Sequence, residues 1–261
     1  MPAFDDAVFH YRKNDNLGIG IHLNLSLGRP VLPAARVRTL VDNQGFFITN
    51  YYRFVKFLLS LKESNLFEIE EEFRAQIERV INKRIRLDHI NSHIHIHMFP
   101  RIFKIVIKLA KEYNIPAVRF SNEKLMFGIF KKYYPLIPHN LKEIFQHFND
   151  FKKILFLKIL ANFNRKCLKK SGLHTADYFF GAFLMGQMRS RQYVKIFNIV
   201  GDGYTEIVCH PGYIDDEIIA MNDPLIKERP DELKTLLDPE LKKITAEKNI
   251  SLVTFRDMLK P

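Results

Sequence analysis

Four polar residues fall at the downstream ends of short apolar runs, and their types suit hydrolytic chemistry. His22 ends GIGIH, His93 follows LDHINS, Arg119 ends IPAVR and His210 follows TEIVC. In a β/α barrel the carboxyl ends of the strands converge on one face, and catalytic groups come from several different strands. Four strands that each deliver a His or an Arg at that end are hard to attribute to packing alone. Neutral imidazoles sharing one cavity favour a bound divalent metal, and a catalytic metal keeps one position open for water.

The densest signal is His89-Ile-Asn-Ser-His93-Ile-His95-Ile-His97. If this segment is extended, alternation places His89, Asn91, His93, His95 and His97 on one side and Ile90, Ser92, Ile94 and Ile96 on the other. A lone buried histidine is more often a hydrogen-bonded core residue than a ligand. Four at period two, joined by His22 from another strand, favour the metal reading. Not all can be ligands, so His89, Asn91, His95 and His97 are expected to orient their neighbours or to contact substrate.

His210 sits in CHPGY, where the following proline and glycine end the strand and turn the chain. A histidine there, opposite an activated water, suits protonation of a leaving group. The alternative reading is a structural loop histidine. Cys209, on the apolar run before it, reads as core rather than nucleophile. The chain has neither a phosphate-binding glycine loop nor a G-x-S-x-G nucleophile elbow.

The elements that must carry these residues alternate along the chain. Apolar runs at Leu17 to Asn24, Leu87 to Ser92, Pro116 to Phe120, Thr205 to Cys209 and Ser251 to Phe255 read as buried strands. Between them, helical spacing joins Ile69, Phe73, Ile77, Val80 and Ile81, and again Ile102, Ile105, Val106 and Leu109. Parallel strands need crossover connections, so strands separated by helices imply a parallel β/α architecture. With no repeat or linker in evidence, residues 1–261 read as a single domain.

Residues 122–171 interrupt that pattern. The stretch is rich in Phe and Lys, and Leu141, Ile144, Phe148, Phe151, Leu155, Ile159 and Phe163 recur every three or four residues. Lys142, Lys152, Lys153, Arg165, Lys166, Lys169 and Lys170 supply an opposite, basic face. This predicts a basic amphipathic helical insertion, read either as a flap with a solvated face or as a surface that docks on anionic lipid or covers a substrate.

Charge and composition bound the remaining choices. The chain has 261 residues, 47% hydrophobic, with 40 Lys and Arg against 29 Asp and Glu and a formal charge of +11. The stretch from Arg101 to Lys170 holds 16 of the basic residues and only 4 of the acidic ones. The rest is near neutral, so a general nucleic-acid-binding surface is not indicated. The apolar share is too high for a disordered chain, and charges interrupt every apolar run before it could cross a bilayer. Two cysteines, Cys167 and Cys209, make neither a disulfide framework nor a zinc ribbon, which agrees with a reducing compartment. The opening residues lack the basic start and apolar core of a secretory signal, so a cytoplasmic protein is expected, with peripheral membrane contact left open.

With these residues assembled, the sequence resembles the YdjC-like carbohydrate deacetylases, the ChbG/HpnK group. The resemblance rests on GIGIHLNLSLGRPVLP, LVDNQGFF, FRAQIERV, LDHINSHIHIHMFP, EYNIPAVRF, TADYFFGAFLMG and TEIVCHPGYIDDE, in family order from near residue 2 to near residue 217. Asn91, where many members carry Asp, looks closest to the hopanoid-associated branch. The resemblance implies an irregular, TIM-like parallel (β/α) barrel that hydrolyses the acetyl group from an N-acetylated amino sugar, oligomeric or lipid-linked, with a divalent metal. Magnesium suits the family's Asp-His-His arrangement, and zinc suits a histidine-rich set. By position, His22 and His93 match the family's metal-binding histidines, His210 matches the proposed general acid, and Arg119 matches a strand-end residue that orients site groups.

The family's opening N-A-D-D-F-G type motif, which supplies the third ligand and the base, has no counterpart here. Asp5 and Asp6 lie in PAFDDAVFHY, ahead of the His22 strand, which is the wrong place. The expectation is therefore a barrel without its first strand. Two functions stay open: a metal-dependent deacetylase whose Asp pair lies outside this sequence, and a noncatalytic sugar- or metal-binding relative. A homo-oligomer is compatible with both.

Overall fold

A computed structural model describes residues 3–48, 51–123, 141–220 and 225–259. The chain separates into two compact units, one built from Met1–Arg119, Phe163–Thr175 and Val253–Pro261 and the other from Phe120–Asn162 and Ala176–Leu252. No described helix is long and apolar enough to cross a membrane.

The first unit opens with α1 (Phe4–Arg12) and β1 (Gly20–Leu23), then α2 (Tyr51–Leu59) and α3 (Glu63–Ile81), β2 (His89–Ser92), α4 (Pro100–Glu112) and β3 (Ala117–Val118). The strands form a parallel sheet in the order β1-β2-β3. Helices between the strands supply the crossovers that parallel pairing demands, and α3 packs on β1 while α4 packs on β3. Helical periodicity fixes which faces are buried. Ile69, Phe73 and Ile77 of α3 and Ile102, Val106 and Leu109 of α4 are fully enclosed, with Leu23 of β1 and Ile90 of β2 between the layers. Burying such a side chain is worth about 1.5–3 kcal/mol.

The second unit holds a parallel pair, β4 (Tyr178–Phe180) and β5 (Thr205–Ile207), joined through α6 (Ser190–Phe197). After β5 come α7 (Asp216–Ala220), α8 (Arg229–Leu236) and α9 (Pro239–Glu247). Phe180, Met188, Tyr193, Ile196 and Leu241 form its core, with Ile207 and Cys209 packed against them. Cys209 is thus a packing residue, as its sequence context suggests. At Gly181, φ is +104°, and a Cβ there would lie 2.3 Å from the Val208 carbonyl oxygen, so only glycine lets the two backbones approach.

Parallel α/β organisation agrees with the sequence, but three expectations change. Ser251 to Phe255 is not a strand: Leu252 is 87% exposed, and Thr254 bonds locally to Asp257 through both its amide and its hydroxyl. The strands observed are shorter than the apolar runs. Over its described side chains, the helix α5 (Leu141–Ser171) carries the expected apolar row outward. Ile154, Leu157, Leu160 and Ala161 are buried, whereas Leu155, Ile159 and Phe163 are exposed at 44%, 45% and 71%. Spacing alone does not distinguish the expected row from the neighbouring apolar row, offset by one residue, which wins the core. The side chains of residues 141–151, including the expected Leu141 to Phe151 positions and Lys142, and all of residues 124–140, lie outside the described residues.

Candidate functional site

The three-stranded sheet brings His22 and His89 onto one face, and His93 directly follows β2. Register pairs His22 on β1 with Asn91 on β2, and Gly20 with His89. Side chains at paired positions of adjacent strands share a face, which brings His22 Nδ1 to 2.5 Å from Asn91 Oδ1. Asn91 Nδ2 in turn lies 3.2 Å from His89 Nε2, and His89 Nδ1 lies 2.7 Å from Asp88 Oδ1. The His89 ring stacks on Phe255 at 4.1 Å between centroids. It fits only because Gly20 is opposite: a Cβ there would sit 2.2 Å from the ring.

His93 follows the last residue of β2. Its ring lies 6.0 Å from that of His22 in an edge-on arrangement, and its Nδ1 is 2.7 Å from Ser26 Oγ. Ser26 is held by a lattice of contacts to α3. Asn24 Oδ1 accepts the Ser26 and Leu27 amides, Gln76 exchanges two hydrogen bonds with the Asn24 backbone, and Glu72 accepts the Val31 and Leu32 amides. Glu72 and Gln76, one helical turn apart, thereby fix the loop that follows His22. Burial pushes the Glu72 carboxyl up, and its hydrogen bonds from Gln76, Val31 and Leu32 oppose that.

The period-two arrangement of the histidine block ends at His93. Ile94 and His95 adopt left-handed backbone angles, φ +44° and +58°, and residues His93–Met98 coil into a tight turn. Such conformations cost on the order of 1–2 kcal/mol per residue. The turn leaves Ile94 exposed and buries His95 and His97, whose ring centroids are 6.3 Å apart. His97 is tied on three sides. Its amide donates to Ser92 Oγ at 2.9 Å, its Nδ1 is 2.6 Å from the same hydroxyl, and its Nε2 donates to the Arg119 carbonyl at 3.0 Å. Complete burial, reinforced by the nearby Arg119 charge, holds its pKa down to about 3, so it stays neutral and works as a brace between β2 and β3. Arg119 directly follows β3 and donates its amide to Ile90.

His210 belongs to the second unit. Glu232 of α8, only 1% exposed, accepts the His210 amide on one oxygen and the Met188 amide on the other. Arg229 donates to the His210 carbonyl at 3.4 Å, so the start of α8 clamps the backbone of the CHPG turn from both sides. Asp5 and Asp6 lie on the surface in the first turn of α1, where Asp5 pairs with Lys83 at 2.9 Å. That pairing lowers the Asp5 carboxyl pKa, and Asp6 lies 3.6 Å from His10 of the same helix rather than beside His22 or His93.

The two imidazoles fit the nitrogen half of a divalent-metal site: each has Nδ1 engaged by a polar neighbour, as outer-shell partners of a ligand histidine do. Among the described residues no group of three or more His, Cys, Asp or Glu converges to complete such a set.

A family model described as YdjC-like protein matches residues 1–247. The chain belongs to the YdjC-like family. This YdjC-like chain is 31% identical over 259 residues to a carbohydrate deacetylase of Brevibacillus brevis, covering 99% of this chain and 85% of that protein. It is 29% identical to a carbohydrate deacetylase of Clostridium beijerinckii, with the same two coverages. Among solved structures it resembles an Enterococcus faecalis protein described as a candidate cellobiose-phosphate cleavage protein, with a TM-score of 0.71 at 22% identity, over 98% of this chain and 84% of that one. The likeness to that structure shows the fold.

Sequence reasoning missed the residues that support these histidines: Asp88, Ser26, Glu72, Gln76, Gly20 and Phe255 in the first unit, and Glu232 behind His210 in the second. The stretches GIGIHLNLS and FRAQIERV contain several of them, because the first is the loop that α3 holds and the second is the part of α3 that holds it.

Proposed function

We propose that the chain is a carbohydrate N-deacetylase that hydrolyses the acetamide of an N-acetylated amino sugar, free, oligomeric or lipid-linked. The paired, Nδ1-tethered rings of His22 and His93 carry this reading, together with the carbohydrate deacetylases to which the chain is similar. His22 and His93 would hold a divalent ion, magnesium or zinc, which when bound supplies Lewis acidity to the acetamide carbonyl. His210, its backbone clamped by Glu232 and Arg229, protonates the departing amine at nitrogen. Arg119 and Asn91 orient groups around the acetamide.

Acetate release from N-acetylglucosamine oligosaccharides and lipid-linked N-acetylglucosamine tests this, with magnesium or zinc added after chelation. Metal-dependent release is expected. Metal binding and sugar binding without release at high protein concentration would instead favour the noncatalytic relative, a reading that draws on the lack of a carboxylate beside the two histidines among the described residues.

We also infer that α5 meets an anionic membrane. Residues 152–171 carry seven basic residues and no acidic one, and Leu155, Phe156 and Ile159 are exposed beside Lys152. Apolar side chains mixed with snorkelling lysines suit a headgroup boundary, whereas like charge opposes pairing of two copies through this face. Flotation with anionic but not neutral vesicles is expected. Equal behaviour with both overturns it.

A further inference from the structure

We infer that Asp88, His89 and Asn91 form a directional hydrogen-bond relay that sets the tautomer of His22, placing its proton on Nδ1 and leaving Nε2 as the unprotonated nitrogen. The inference rests on the reading of His22 as a ligand only for its consequence in metal binding, and its geometry stands without that reading.

The direction starts at Asp88. Its side chain is 1% exposed, with the Arg256 guanidinium 3.7 Å from Oδ2. Arg256 is itself fixed by the Leu17 carbonyl at 2.7 Å. A carboxylate only accepts, so the contact from Oδ1 to His89 Nδ1 at 2.7 Å requires the proton on that nitrogen. In a neutral ring Nε2 must then accept, and the group 3.2 Å away is the Asn91 amide, which therefore turns its NH₂ toward His89. Its oxygen consequently faces His22 at 2.5 Å, and because that oxygen has no hydrogen to give, His22 Nδ1 must donate.

Reversing Asn91 would require a proton on His89 Nε2, so that a neutral His89 would aim a lone pair at the buried Asp88 carboxylate, and only a His89 protonated on both nitrogens would satisfy both neighbours. With His89 neutral, the charge at Asp88 selects the polarity of every later link, although it never touches His22. The stack on Phe255 and the space left by Gly20 hold the middle of the relay in place. Asp88, His89 and Asn91 are positioning residues. They present the nitrogen that a metal requires and raise its basicity.

The experiment is ¹⁵N NMR of imidazole-labelled, metal-free full chain, reading long-range ring couplings, with His22→Gln and His89→Gln used to assign signals. The expected result is Nδ1–H and bare Nε2 for both His22 and His89. Asp88→Asn keeps the side-chain size but lets the relay run either way. It should create a second His22 population protonated on Nε2 and weaken zinc binding about ten- to a hundredfold. His22 protonated on Nε2 in the native chain, His89 protonated on both nitrogens, or a folded Asp88→Asn that leaves His22 unchanged each overturns the relay. Should Asp88→Asn fail to fold, Asn91→Asp serves: it can only accept, so His22 should keep Nδ1–H while His89 gains a proton on Nε2, and an unchanged His89 contradicts the relay. Correct tautomers without any acetate release would overturn the proposed function and leave the relay standing.

Discussion

His22 and Asn91 are register partners on adjacent parallel strands, with Nδ1 and Oδ1 2.5 Å apart. The orientation of the His22 ring is therefore set by strand pairing rather than by a loop. One residue of slip between β1 and β2 would move Asn91 to the opposite face of the sheet and remove the contact. The backbone ladder and the site are the same structure at this point, and four further consequences can be measured.

Gly20→Ala places a methyl group 2.2–2.6 Å from three atoms of the His89 ring. The ring is trapped between that methyl and Phe255, so it must leave its stack. A loss of about 1–3 kcal/mol in urea unfolding is expected, as for other overpacked sites. Acetate release should fall about tenfold, in line with small misplacements at a reacting centre.

His97 titrates near pH 3 when folded, against about 6.5 when unfolded. The unfolded chain therefore binds the extra proton first as pH falls, so this contribution to stability is present above pH 6.5 and is lost between 6.5 and 3. The slope is about 1.4 kcal/mol per pH unit inside that window. Urea midpoints of the native chain and His97→Asn should converge as pH drops from 7 to 5. A constant gap would contradict the assignment.

Glu123 behaves with the opposite sign. Burial pushes its carboxyl up to about 7, despite hydrogen bonds accepted from the Gly181 and Phe183 amides. Its stabilising contribution is present below the unfolded carboxylate range, near pH 4.5, and is lost as pH rises through 7. After correction for intrinsic rates, protection of the Gly181 and Phe183 amides against hydrogen exchange should be greater at pH 5 than at pH 8.

Glu232→Gln exchanges one amide-accepting oxygen for a donor, leaving either the His210 or the Met188 amide without its acceptor. On the proposed mechanism kcat should fall about tenfold or more while KM changes little, because the turn that aims His210 loosens. A change confined to KM would place His210 in substrate binding instead of proton transfer.

Much of this arrangement is legible in the sequence. Helical spacing picked out Ile69, Phe73, Ile77, Ile102, Val106 and Leu109 correctly, since a 3.6-residue period has one answer when a single face is buried. The same rule misread α5, where two apolar rows adjoin and only packing decides that Ile154, Leu157 and Ala161 go inward. Alternation correctly placed His89 and Asn91 together but failed beyond His93, because no local pattern announces two left-handed residues at Ile94 and His95. Asp88 and Phe255 were invisible for a different reason. They are 167 residues apart in sequence and meet only through His89.

The most direct measurement is acetate released from an N-acetylglucosamine oligosaccharide by the metal-loaded chain, beside His22→Ala, His93→Ala and the conservative His97→Asn. The account predicts release by the native chain, loss of at least about a hundredfold in the first two variants, and activity kept within about tenfold in His97→Asn at pH 8 where that variant is folded. Undiminished release from His22→Ala and His93→Ala would place the chemistry elsewhere and contradict it.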